Sequence, residues 1–467
     1  MPTFAPDELA AWTGGRWTSR PAAPLTGFTT DTRQLRAGQV FVALSTDRRD
    51  GHAFLPAAEA AGAGAALVAA AQPGLRLPQL VVADPLAAFQ AIARAHRRTF
   101  RGPVVGITGS AGKTSTKNLL ALLLGGPAGG VLATEGNLNN HLGVPLTLTR
   151  LDPARHTFAV IEAGISAPGE MAPLAAMIAP DVVVITLVAA AHTEQLGGLE
   201  GVAREKAALA AALPPSGAAI FPESCAAFAA FQAPLPHPRV LARTADLRAA
   251  PAPGGPIPFQ VLQRTEQTEI VLAAGGPKPA RFTLSRVTDG MASNAALALT
   301  AALHLGVAPD RLQARLAGWA PAPLRGEIRR TDGRLLYLDC YNANPASMAD
   351  ALATFQAIAP APVPRLYVLG GMEELGAASA DCHRALGRSL ALRAGDRVLV
   401  LGAHANEVCA GVLEQGDYSR QIQLVSALET VAAVLAEWRG AVFVKGSRRY
   451  QLEHALAGAV PMEAAHA

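Results

Sequence analysis

The stretch VVGITGSAGKTSTKNLLALLL, starting at Val104, sets one lysine and three consecutive hydroxyls at the end of a loop of small residues, between two apolar runs. The runs predict a buried strand over Val104–Thr108 and a helix from Lys113, so Gly109, Ser110, Ala111 and Gly112 form the strand-to-helix turn. Backbone N–H groups in such a turn, together with the helix dipole, bind phosphate. Lys113 can reach the β- and γ-oxygens, the hydroxyls of Thr114 and Ser115 face the same anion, and Thr114 can ligate Mg²⁺. The loop therefore reads as a nucleoside triphosphate site. Ile107 stands where the strict GxxxxGK[ST] pattern has its first glycine, and the alternative is an incidental Gly-rich turn. The strand before it and the helix after it argue for the phosphate site.

Lysine is scarce in this chain. Only Lys113, Lys117, Lys206, Lys278 and Lys445 stand against 35 arginines. The surviving lysines are candidates for places where a compact, chemically reactive amine is required and a guanidinium cannot serve. Two further runs end in polar residues at what should be the same sheet edge: FAVIEAGIS delivers Glu162, and VVVITLVAAAHTEQLG delivers His192. Ligands of parallel sheets gather at the C-terminal ends of the strands. A hard carboxylate beside phosphate oxygens suits Mg²⁺, whereas a histidine there is equally a structural residue. Lys206, in GVAREKAALAAAL, sits on a helix rich in alanine and leucine. A solvated face is the bland reading; chemically, a primary amine can take up CO₂ as a carbamate and become an anionic metal ligand.

The elements that must position these residues form an α/β chain. At 467 residues it exceeds one core, so two or three domains are expected from length, and the pattern along the chain gives three. Residues 1–98, with the strand-like pieces QVFVALS, AALVAAA and PQLVVAD, read as a small α/β N-terminal domain. Residues 99–320 read as a central P-loop-type ATPase domain with a parallel sheet, its strands near Val104–Thr108, Thr157–Ala163, Asp181–Val188 and Ala218–Phe221. FQVLQ, EIVLAA and RFTLSRV add an antiparallel insertion at its edge, and ASNAALALTAALHLG a helix. The linker GWAPAPLRGE marks a boundary near 320. Residues 321–467 alternate strands (RLLYLDC, RLYVLGG, DRVLVLG, QIQLV, AVFVKG) with helices, as in a C-terminal Rossmann-like domain.

Composition narrows the function. Half of the residues are hydrophobic and 16% are charged, which fits a packed protein rather than a disordered one. The net charge of +4 comes from scattered arginines and aromatics make up 5%, so no nucleic-acid surface is expected. No basic segment followed by an apolar stretch opens the chain. VVVITLVAAA is about half the ~20 residues of a membrane helix, so no membrane insertion is expected. Cys225, Cys340, Cys382 and Cys409 are widely spaced, indicating neither a disulfide frame nor a zinc site. A cytoplasmic monomer is the expectation.

Taken together the motifs resemble the Mur ligase family. The matching stretches run almost end to end: TDTRQLRAGQVFVAL with DGHAF, GITGSAGKTSTK, EGNLNNHLGVPLTLTRL, VIEAG, AAHTEQLGG with VAREKA, ASNAALAL, DCYNANPASM, GGMEELG with His383, and VKGSR. YNANPASM, GNLNNHLGVPLTL and GMEELG point to the branch that adds D-alanyl-D-alanine. The phosphate loop and the Glu–His–Lys set are shared with folylpolyglutamate synthases. The resemblance implies an ATP-dependent amide ligase that joins D-alanyl-D-alanine to UDP-N-acetylmuramoyl-tripeptide through an acyl phosphate. Thr114 and Glu162 resemble the ligands of one Mg²⁺, and His192 with a carbamylated Lys206 those of a second. Lys113 and Arg325 would act on the γ-phosphate, Asn294 would read adenine, and Asp339 would bind ribose. Asn137 and Asn139 resemble the residues that hold the muramoyl-peptide, and Asp31 and Arg33 the uridine-nucleotide motif. Tyr341, Asn342 and Asn344 would face the cleft between the second and third domains. Asn344-Pro345 also reads as a helix N-cap with proline at the first helical position. Lys445, Ser447 and Arg448 read either as a carboxylate grip or as solvated surface.

The chain departs from the family pattern at Gly371 for aspartate, Gly290 for histidine, Cys340 for serine or threonine, Thr193 for leucine, and Ser45-Thr46 for Lys-Gly. None removes a phosphate or metal ligand. Because Lys113 precedes the linker while Arg325 and Asp339 follow it, the expectation is a hinge near Pro321–Pro323 that closes the third domain on the second. The rival readings are another amide ligase of the superfamily, whether folylpolyglutamate synthase-like or adding a single amino acid, and a nucleotide-binding scaffold that has lost ligation.

Overall fold

The structure, a computed structural model, describes residues 2–47, 49–190, 193–245, 247, 254–273, 278–331 and 333–456. The chain is α/β and builds three main sheets, of five, nine and six strands. In each, strands of two to seven residues, the central ones apolar, are flanked by helices on the faces that supply the crossovers parallel neighbours need.

The five-stranded sheet has the order Arg16–Trp17, Gln79–Val81, Ala65–Val68, Val40–Val42, Phe28–Thr29, parallel except for its first pair. The helix Pro85–Arg97, capped by the Asp84 carboxylate on Leu86 N and Ala87 N, joins this unit to the next. Phe89 and Ile92 fill the N-terminal core, while Ala93 packs into the neighbouring one. At its end, buried Arg97 donates to Ile178 O at 2.9 Å, Ala179 O at 2.8 Å and Asp181 at 3.1 Å, and His96 Nε2 bonds Leu151 O at 2.7 Å.

The nine-stranded sheet centres on Val104–Thr108, flanked by Phe158–Glu162 and Val182–Ile185. Val131–Ala133 closes one side. Ala218–Pro222, Arg239–Arg243 and the strands Ile257–Gln263, Gln267–Leu272 and Ala280–Ser285 extend the other. Those last three pair antiparallel, as their alternating pattern predicts. Alternation along the central strands sends Val105 and Ile107 into a core with the helices Lys113–Leu124 and Asp289–His304, and Val104 into a core on the opposite face with Leu174, Val202 and Leu209. The exposed ladder of the edge strand Ala280–Ser285 is covered by the helix Pro309–Leu316, whose Gln313 amide bonds both Thr283 N and Thr283 O. Val131–Ala133 and Arg239–Arg243 were not expected. The first is only three residues long and the second is bounded by arginines at both ends, and neither shows a clean alternation, so pairing with their neighbours makes them strands.

The six-stranded sheet runs Glu327–Thr331, Arg334–Asp339, Ala441–Lys445, Arg365–Leu369, Arg397–Val400, Ile422–Leu424, antiparallel only in its first pair. The helix Pro345–Ile358 covers one face with Met348, Leu352 and Phe355. Register places Asp339 beside Lys445 at the C-terminal strand edge. Among the described residues no helix is long and apolar enough to cross a membrane.

Candidate active-site cleft

A cleft of about 540 Å³ lies between the C-terminal edges of the nine- and six-stranded sheets. The loop Gly109–Gly112 enters it as the sequence predicts, after Val104–Thr108 and before the helix Lys113–Leu124. Gly112 is the helix N-cap, in the left-handed region at φ 78°, and offers no capping side chain, so the first helical N–H groups stay open to an anion. Its Cβ, if present, would strike the Asn294 amide, and one on Gly109 would strike the Thr186 hydroxyl. The loop is braced from the next strand: Thr186 Oγ1 donates to Ala111 O at 2.5 Å, and Ser110 Oγ to Ala189 O at 2.9 Å.

Lys113 Nζ donates to Gly109 O at 2.9 Å, curled over its own loop. Burial pulls its pKa below the lysine range; Glu162 opposes this and Arg325 adds to it. Glu162, at the end of Phe158–Glu162, accepts Thr114 Oγ1 at 3.2 Å and Asn139 Nδ2 at 2.8 Å on the same oxygen. The other oxygen, Oε2, is buried without a partner among the described residues. Ser115, Asn137 and Asn294 line the same wall.

The opposite wall comes from the six-stranded unit. Arg325 stacks its guanidinium 3.8 Å from the centroid of the Tyr341 ring. Asp339 is held at 2.5 Å by Lys445 Nζ, which also reaches Asn342 O at 3.2 Å. Asn342 and Asn344 line the cleft, and Asn344 caps Pro345–Ile358 in a reciprocal box with Ser347, so its architectural reading holds as well.

Of the five lysines, Lys117, Lys206 and Lys445 are only 3%, 3% and 1% exposed, while Lys278 is exposed. The solvated readings of Lys206 and Lys445 are therefore corrected. The Lys206 pKa lies well below the ordinary value, through burial first and the charge of Lys113 second. Lys445 grips the carboxylate of Asp339, and Arg448 that of Glu453, so each is engaged within the protein. Asp31 and Arg33 lie outside the cleft, paired to each other at 2.7 Å in the N-terminal unit. His192 lies outside the described residues. Lys117, a candidate by scarcity alone with no role assigned from its motif, donates from Nζ to Thr134 O at 2.5 Å while Thr134 Oγ1 accepts Glu162 N at 2.9 Å. Its scarcity as a lysine was the available signal.

Two family models match: the Mur ligase middle domain over residues 107–302, and the Mur ligase, glutamate ligase domain over residues 324–448. Over 439 residues, 92% of each chain, the protein is 35% identical to the UDP-N-acetylmuramoyl-tripeptide--D-alanyl-D-alanine ligase of Escherichia coli. The chain belongs to the Mur ligase family. A crystal structure of MurF from Acinetobacter baumannii, 26% identical, superposes with a TM-score of 0.83 and 98% coverage of both chains. MurF ligase from Thermotoga maritima, solved in complex with ADP, is also 26% identical, with a TM-score of 0.77 over 92% of this chain and 96% of that one. In this Mur ligase the two matched regions meet across the cleft, the first carrying Lys113, Thr114, Glu162 and Asn294, the second Arg325, Asp339 and Tyr341.

Proposed function

We propose that this Mur ligase joins D-alanyl-D-alanine to UDP-N-acetylmuramoyl-tripeptide at the expense of ATP, giving the pentapeptide used in peptidoglycan synthesis, and that it works as a cytoplasmic monomer. The observation that carries the reading is the single cleft in which an open phosphate loop, a buried carboxylate with one unpartnered oxygen and an arginine from the facing unit converge. Residues 1–98 would bind the UDP-sugar-peptide through Asp31 and Arg33, residues 99–320 ATP, and residues 321–467 would close on both about a hinge near Pro321–Pro323.

The tripeptide's terminal carboxylate, placed by Asn137 and Asn139, attacks the γ-phosphorus of ATP. ADP leaves and an acyl phosphate forms. The amine of D-alanyl-D-alanine then attacks the acyl carbon, loses a proton, and inorganic phosphate departs as the amide forms. Gly109 to Ser115 cradle the phosphates. Lys113 and Arg325 meet the charge that spreads over the transferred group, and such positioned charge supplies most of the catalysis in phosphoryl transfer. Asn294 faces the adenine, Asp339 the ribose, and Tyr341, Asn342 and Asn344 border the acceptor.

The donors fit Mg²⁺: the Thr114 hydroxyl and the open Glu162 oxygen are hard ligands side by side. Thr114 and Glu162 would hold one ion, and His192 with carbamylated Lys206 a second. Bound Mg²⁺ neutralises charge on the phosphates. The deciding experiment follows phosphate release from ATP and product mass with UDP-N-acetylmuramoyl-tripeptide, with and without D-alanyl-D-alanine. Release that requires both, with pentapeptide formed, is expected. ATP binding without release would overturn ligation in favour of a scaffold, and product formed only with another amine acceptor would overturn the D-alanyl-D-alanine assignment.

A further inference from the structure

The helix Asp289–His304 carries Asn294 into the cleft, and its first N–H groups have no acceptors within the helix. Thr288 satisfies one of them, its hydroxyl accepting Met291 N at 3.0 Å. Gly290 N is satisfied from outside the unit. Asp350, on the helix Pro345–Ile358 that packs on the six-stranded sheet, accepts it on both carboxylate oxygens, at 3.1 and 3.0 Å. Burial raises the pKa of Asp350 above the usual carboxylate value, while hydrogen bonds from the Thr288 hydroxyl and Gly290 N oppose that rise, and the helix dipole also favours the charged form. Gly290 is what admits it, because a Cβ at that position would strike Asp350 Oδ2. The departure from the family's histidine thus has a partner across the cleft, and Gly290 and Asp350 both line the cleft with Asn294, Arg325 and Asp339. The contact between Arg330 and Glu266, which also bridges the two sheets' strands and loops, is exposed and contributes little by comparison.

We propose that Asp350 is a positioning residue for the reaction, a clasp from the C-terminal unit that sets the helix bearing Asn294 against Arg325 and Asp339. Asn294 lies four residues beyond Gly290, on the same face of the helix one turn on. The clasp therefore fixes where that side chain stands relative to the opposite wall, and the two halves of the nucleotide site meet in one geometry. The inference rests on the ATP-dependent ligase reading, but the clasp itself is testable in the free protein.

The test compares Asp350→Ala, Gly290→Ala and the double variant. Gly290→Ala is the sharper change, since alanine in a helix ordinarily stabilises it, whereas here the new Cβ displaces the carboxylate. Hydrogen exchange of the peptide spanning residues 287–294, in the full chain without ligands, reads the clasp. It should quicken by about tenfold in each single variant, as expected when a protecting hydrogen bond is lost. The KM for ATP should rise at least about tenfold, in keeping with loss of a charged hydrogen bond, with the dissociation constant of UDP-N-acetylmuramoyl-tripeptide unchanged. The double variant should be no worse than Asp350→Ala alone, since Gly290→Ala acts on a contact that Asp350→Ala already removes. Unchanged exchange in both singles overturns the clasp. A raised KM with unchanged exchange, or effects that multiply in the double variant, overturns positioning in favour of separate roles. If the wild type forms no product, the ligase reading fails while the exchange experiment still decides the clasp.

Discussion

Lys206 separates chemistry from folding when two substitutions are compared. Its side chain is 3% exposed on the helix Leu199–Ala210, whose inner face packs Val202, Ala203 and Leu209 into the core. Among the described residues no carboxylate pairs with it at ion-pair distance, and Lys113 adds a like charge. Each unit by which the pKa falls raises the neutral fraction about tenfold, and the neutral amine is the form that takes up CO₂. Arginine cannot lose its proton. Lys206→Arg therefore buries a permanent, unpaired cation beside Lys113, which should cost about 3–5 kcal/mol and lower the melting temperature of a domain this size by roughly 10 °C or more. Lys206→Met keeps the length of the stem, removes the charge, and should melt at or above the wild type. Both should lose about 10²–10³ in the rate of pentapeptide formation, the usual cost of losing one electrostatic stabiliser of the transferring group. The assay pairs thermal unfolding with product formation, and adds a wild-type measurement in CO₂-stripped buffer, where the rate should fall and then return with bicarbonate. A Lys206→Met enzyme with the wild-type rate would refute the carbamate. An arginine variant as stable as the methionine variant would refute the burial argument on which the magnitude rests.

Asp31→Ala should raise the KM for the UDP-linked substrate and leave that for ATP unchanged. Hydrogen bonds from Arg33 hold the Asp31 pKa at about 2, so the pair persists until the pH falls to that value and the KM should not vary on its account between pH 5 and 8; equal effects on both substrates would count against the uridine assignment. Burial lowers the pKa of His96, so the unfolded chain binds that proton first and the histidine's contribution to stability is lost as the pH falls through its ordinary value of about 6.5 and below. His96→Gln should flatten that acid limb in melts from pH 8 to 5, and an unchanged slope would exclude this source. Asp396→Ala removes the only carboxylate partner, among the described residues, of the fully buried Arg365 guanidinium and leaves it the Ala391 carbonyl, and denaturant titration should show a loss of about 3–5 kcal/mol; a loss below about 1 kcal/mol would mean that this carbonyl and water suffice for the buried charge. Gly371→Asp restores the family's usual residue, yet its Cβ would lie 2.6 Å from the Tyr450 hydroxyl, which donates to Glu373 at 2.7 Å. It should destabilise by about 1–3 kcal/mol, and a more stable, more active variant would contradict this packing account.

The sequence by itself determined the α/β class, the phosphate loop, the antiparallel edge and the family, because each depends on local spacing: glycine at a strand-to-helix turn, alternation along a strand, a motif read in order. It also flagged the lysines, since five among 35 arginines is a signal that survives without coordinates. It did not determine which of them are buried. Lys206 and Lys445 look solvated on their own helix and strand end, and only packing against neighbouring elements removes them from water. Tertiary structure alone decided that Lys445 neutralises Asp339 across a parallel register, that Lys117 reaches Glu162 through Thr134, and that Asp350 caps a helix belonging to another sheet. The partners in these contacts lie between 17 and 106 residues apart. No periodicity along the chain encodes such a pairing; it exists only once the sheets have closed and a buried charge or an orphaned N–H must find whatever the fold has brought beside it.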